Sequence, residues 1–202
     1  MRAGRSVNTV MLSGGENDLE NFGVLNNIVT LNAETLNLVL NRAGAAINQL
    51  TLLGPFNTID NAGLFNQGLT FTNGHTPSTR PDNADNIVTN RAGATINGIT
   101  STGGSYDTVD NSGTINGSVN LGAGNDIYVN RGQTSGSVNL GDGNDVFAMV
   151  EGTMCCTVAL GDGNDQAFVF GGTITADLQA GAGNDFLAWQ GGTIAAGVRM
   201  GE

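Results

Sequence analysis

The sequence predicts an all-β protein: a single right-handed parallel β-helix, or solenoid, of about nine coils of roughly 20 residues each. Two families of internal repeat and one periodicity predict it. Gly-x-Gly-Asn-Asp occurs at Gly122–Asp126, Gly141–Asp145, Gly161–Asp165 and Gly181–Asp185, with the aspartates 19, 20 and 20 residues apart. Asn41-Arg-Ala-Gly44-Ala-Ala-Ile-Asn48 recurs almost letter for letter as Asn90-Arg-Ala-Gly93-Ala-Thr-Ile-Asn97. Between these signatures polar and apolar residues alternate, the period of a strand with one buried face.

From the N-terminus, unit starts fall at Asp18, Asn37, Asn57, Asn86, Asp107, Asp126, Asp145, Asp165 and Asp185, at spacings of 19, 20, 29, 21, 19, 19, 20 and 20. Residues 1–202 therefore read as one β-helix, with degenerate Asn/Gly coils over 1–106 and regular Gly-x-Gly-Asn-Asp coils over 107–202. The 29-residue spacing marks an insertion near 72–85, and insertions in solenoids project as loops. It carries His75 and Arg80, which makes both candidate binding residues. Arg2–Asn8 aligns with Arg42–Asn48 and Val198–Glu202 with Val158–Asp162, so the expected helix is truncated at both ends. The hand follows from the usual chirality of parallel crossovers.

Within a unit, Ile174-Thr-Ala176-Asp-Leu178-Gln-Ala180 reads as one strand with Ile, Ala, Leu and Ala inward. The position after the Ile column is always small (Gly117, Gly136, Cys156, Ala176, Ala196), which suggests a narrow place inside the coil. A second strand follows each aspartate over 146–150, 166–170 and 186–190. With Phe147, Val169, Leu187 and Trp189 assigned inward, Phe168, Phe170 and Phe186 face solvent as a candidate contact surface. By the same alternation Cys156 points inward and Cys155 outward, and both read as space-filling residues, since a bond between neighbours closes a strained ring.

Composition bounds the partners. The net charge is −11, and all 7 basic residues are arginine, which argues against phosphate-rich partners such as nucleic acid or an anionic membrane. Hydrophobic residues at 39% are too many for a disordered chain. No apolar run is long enough to cross a membrane as a helix, so direct membrane insertion of this segment is not expected.

Stacking coils at strand spacing puts Asp126, Asp145, Asp165 and Asp185 in one column, with Asp142 and Asp162 in the same turns. Like charges so close call either for a cation or for N–H groups that the carboxylates accept. Calcium suits the first alternative, because it takes several oxygens and glycine turns expose carbonyls. In the second, each side chain closes its own turn. A catalytic site would need acids facing one another across a groove; Asp60 and Asp110 share a column but lack such partners, and no enzyme is expected.

The Gly-x-Gly-Asn-Asp turns resemble the nonapeptides of repeats-in-toxin calcium-binding proteins, with Tyr128, Phe147, Ala167 and Leu187 at the apolar position. That resemblance implies calcium at the aspartate turns, although here only one turn per coil carries the motif. The whole chain resembles the passenger region of a Gram-negative autotransporter, through Asn111-Ser-Gly-Thr-Ile-Asn-Gly-Ser-Val-Asn-Leu-Gly-Ala-Gly-Asn-Asp126 and Gly171-Gly-Thr-Ile174. The resemblance implies display at the outer surface of a bacterium. It also implies action as an adhesive or self-associating stalk towards a host or bacterial surface ligand. A β-helical polysaccharide-active enzyme is the third reading.

Overall fold

Alternating residues make strands, and the glycine-rich stretches between them make corners. The computed structural model describes residues 6–7, 9–72 and 85–201; among these it has 25 strands and no helix. Equivalent strands pair in parallel from coil to coil, so the chain winds as a β-solenoid of about nine turns.

A regular coil has three strands rather than the two the alternation suggested: Val138–Asp142, Val146–Met149 and Thr153–Met154, followed by Val158–Asp162, Gln166–Val169 and Thr173–Ile174. Val138 pairs with Val158, Val146 with Gln166 and Thr153 with Thr173. The first coils are smoother, with strands as long as Val24–Asn41. Strands Leu69–Thr72 and Asn86–Asn90 bracket the insertion; its residues 73–84, including His75 and Arg80, lie outside the described residues.

The interior is a stack of apolar columns. Val119, Val138, Val158 and Leu178 form one, and Leu121, Leu140, Leu160 and Ala180 another, all buried. Each fully buried aliphatic side chain contributes about 2 kcal/mol. Tyr128 and Phe147 stack inside with ring centroids 6.3 Å apart, and the Tyr128 hydroxyl is 2.7 Å from Thr134 Oγ1. Phe147 and Val169 point inward as expected, whereas Trp189, in the last described coil, is 49% exposed.

The small column is a corner, not a narrowing of the interior. Ile174 and Leu178 are buried, but the three residues between them turn the chain outside the core, and Ala176 is half-buried. Residues there are small because backbones approach closely: a Cβ on Gly136 would overlap the backbone of Gly117. The same corner holds Cys155, exposed, and Cys156, half-buried, joined as a disulfide between neighbours. Neither cysteine fills interior space, which corrects the inward placement of Cys156.

Candidate functional site

Through Asp107–Asn111 the strand in the middle of the coil begins and ends on an inward polar residue. Asn86-Ile-Val-Thr-Asn90 shows why: period two puts Asn86, Val88 and Asn90 on one face, with Val88 in the core and an asparagine at each corner. Corners leave backbone N–H and C=O groups without ladder partners, and buried groups of that kind must be satisfied.

The column at the end of this strand is Asn21, Asn41, Asn61, Asn90, Asn111 and Asn130, all buried. Each Nδ2 donates to Oδ1 of the next asparagine, at 2.9, 2.8, 2.9, 2.8 and 2.9 Å in order. The same amides donate to corner carbonyls of the next coil, such as Ala46 O from Asn21 and Thr114 O from Asn90. Beyond Asn130 the column becomes Met149, Val169 and Trp189. Sequence reasoning did not find this ladder, although the recurring Asn-x-Gly was its signal.

The column at the start of the strand changes chemistry partway along. Asn17, Asn37, Asn57 and Asn86 donate from Nδ2 to the next Oδ1, ending on Asp107 at 2.5 Å. Its first rung is Asn17, not Asp18, which faces solvent. From Asp107 onward the donor is the backbone. Asp107 N–H donates to Asp126 Oδ1 at 2.7 Å, Asp126 N–H to Asp145 at 2.7 Å, Asp145 N–H to Asp165 at 2.8 Å and Asp165 N–H to Asp185 at 3.0 Å. The carboxylates thus accept turn N–H bonds, but those of the preceding coil rather than of their own turn.

The neighbouring asparagines complete the corner in the opposite sense. Asn144 N–H donates to Asn125 Oδ1, Asn164 N–H to Asn144 Oδ1 and Asn184 N–H to Asn164 Oδ1, each bond reaching one coil back. Gly-Asn-Asp therefore supplies acceptors for two successive N–H groups. The first glycine, Gly141 with φ +115°, lies where a Cβ would overlap the carbonyl of Gly122.

Oδ2 of Asp107, Asp126, Asp145, Asp165 and Asp185 is buried without a hydrogen-bond partner. Burial, aided by the neighbouring carboxylates, raises the Asp126 carboxyl to about 8 and Asp145 to about 7. Burial alone does most of the work at Asp107, raised to about 6, and Asp165 is also raised. At Asp126 and Asp145 these are conditions under which a carboxyl keeps its proton near neutrality.

The other sequence-predicted residues fall elsewhere. Asp142 and Asp162 are exposed, each near enough to the buried column to act electrostatically on Asp145 or Asp165, and no three His, Cys, Asp or Glu side chains converge as a metal site among the described residues. Phe168, Phe170 and Phe186 do come together. Phe168 stacks on Phe170 with centroids 6.1 Å apart and meets Phe186 at 5.9 Å, and the latter two are 47% and 53% exposed. Asp60 and Asp110 carry ion pairs to Arg91 and Arg131. The Arg91 guanidinium holds the Asp60 carboxyl below its usual range.

Compared with known proteins, the chain matches no family model, no curated protein and no solved structure.

Proposed function

We infer that this chain is a non-catalytic rod segment of a bacterial surface or secreted protein of the autotransporter passenger type, acting by adhesion or self-association. The observation that carries the reading is how the side chains are used. Inner polar groups cap the corners, outer Asp60 and Asp110 pair with arginines, and Phe168–Phe170–Phe186 gathers as an exposed aromatic cluster on a regular scaffold. An aromatic cluster of that kind on a soluble face favours a partner. Sedimentation of the purified chain and clumping of cells displaying it test the reading. The wild type associates or adheres, and a Phe168→Ser, Phe170→Ser, Phe186→Ser variant does so less. A wild type that stays monomeric and adheres to nothing contradicts it.

The orphaned Oδ2 atoms favour a second reading, a calcium-binding module. Asp126, Asp145, Asp165 and Asp185, with Asp142 and Asp162 of the same turns, would hold the ion. Calcium would supply positive charge that neutralises the column. An ion that binds only the folded chain raises its Tm by mass action. A Tm equal in EDTA and in calcium rejects this reading.

A further inference from the structure

The corner after the short third strand is irregular in the first coils. Leu25 pairs with Ile47 and Ile28 with Gln49, so Asn26 and Asn27 stand opposite Asn48 alone. A bulge of this kind re-aims side chains and bends the surface. Here it opens a groove of about 390 Å³ lined by Thr9, Asn27, Ile28, Asn48, Gln49 and Gln67. A smaller recess of about 130 Å³ adjoins it and shares Asn48. The larger groove falls in the size range of small-molecule sites.

No lining residue among the described ones is charged. Asn66 Nδ2 donates to Asn48 Oδ1 at 3.0 Å, and Asn97 Nδ2 in turn donates to Asn66 O at 2.8 Å, so the Asn48 amide is held in place. Its Nδ2, and the side-chain amides of Asn27, Gln49 and Gln67, bond to no other described residue. Each of these amides offers donors beside an acceptor, the pattern that vicinal hydroxyls complement. Ile28, 48% exposed, adds an aliphatic surface for the C–H face of a sugar ring. A charged ligand would meet no counter-charge.

We propose that this groove binds a short stretch of neutral polysaccharide through the amides of Asn27, Asn48, Gln49 and Gln67, with the sugar lying against Ile28. The proposal rests on the adhesive reading and gives it a ligand class.

The test is an NMR titration of the isotope-labelled chain with maltohexaose, cellohexaose, chitotetraose and mannohexaose, following the side-chain amide signals. At least one sugar is expected to shift the Asn27, Asn48, Gln49 and Gln67 amides with a Kd of about 1 mM. An Asn48→Ala, Gln67→Ala variant weakens that binding about tenfold, the loss of one to two hydrogen bonds. Asn116→Ala, in the same amide column but outside the groove, leaves binding unchanged. Ile28→Arg, at an already exposed position, blocks binding without touching the amides and covers the case of a misfolded double variant. If none of the sugars moves these amides, or binding survives both variants, the groove assignment is overturned. The clumping assay reads separately. Cells that adhere through a chain that binds no sugar refute the groove alone, and sugar binding without adhesion refutes the adhesive reading alone.

Discussion

The backbone N–H of Asp126 donates to Oδ1 of Asp145, one coil ahead, at 2.7 Å. The acceptor is a side chain whose other oxygen is buried and unpartnered. The coil-to-coil bond is thus made at the cost of a carboxyl that resists ionisation, and much of the chain's expected pH behaviour follows from that pairing.

In the unfolded chain an aspartate titrates near 3.8, whereas folding raises Asp126 to about 8 and Asp145 to about 7. Between these values the folded state binds more protons than the unfolded one, so stability falls as pH rises. It is fully present below the unfolded value and lost through the folded one. In EDTA, urea unfolding is expected to show roughly 3 kcal/mol lost by the coupled pair as a whole between about pH 5 and pH 8. A stability that is flat or rises over that range contradicts the assignment.

Asp145→Asn keeps an Oδ1 to accept from Asp126 N–H and removes the charge. Asparagine already serves this column at Asn37, Asn57 and Asn86. Near pH 9 the variant is expected to be more stable than wild type by about 1–3 kcal/mol, and near pH 5 to differ little. Thermal melts at the two pH values check it.

The coil period was legible because each coil repeats the same backbone demand: glycines where coils crowd at Gly141, and acceptors beside them at Asn144 and Asp145. Reading the corner at Thr175–Asp177 as continuous strand failed, because alternation carries on formally through a turn whose residues happen to be small and polar. Which atoms an aspartate bonds was also not legible. Asp145 serves the coil behind it, and that relation exists only once the coils are stacked. The amide groove was hidden for a similar reason: it arises from a register shift between Leu25 and Ile28 that leaves no mark in the spacing of the repeats.

The asparagine ladder should be sensitive along its length. Asn61→Met removes a rung bonded to Asn41 on one side and Asn90 on the other. It leaves buried polar groups unpaired, at about 2–5 kcal/mol. Asn130→Met at the ladder's end strips partners from Asn111 Nδ2, Thr134 Oγ1 and the carbonyls of Gly132 and Glu151, and should cost a similar amount. Losses below about 1 kcal/mol in urea titrations of either variant would contradict the ladder as described.

The disulfide between Cys155 and Cys156 lies on an exposed corner whose neighbours in the stack, Ser135 and Thr175, do without a crosslink. It also closes almost no chain, so it constrains the unfolded state little. A Cys155→Ser, Cys156→Ser variant is expected to unfold within about 1 kcal/mol of wild type. Mass spectrometry after thiol labelling, with and without reductant, checks that the bond is formed. A large loss of stability contradicts this placement.

The most direct measurement is an NMR titration of the side-chain carboxyl carbons of Asp126 and Asp145 in EDTA. Both are predicted to change ionisation well above the ordinary aspartate range, near 8 and near 7. Midpoints close to 3.8 for both would mean that the two carboxylates stand in water or are held by partners, and that the buried column is not as described here.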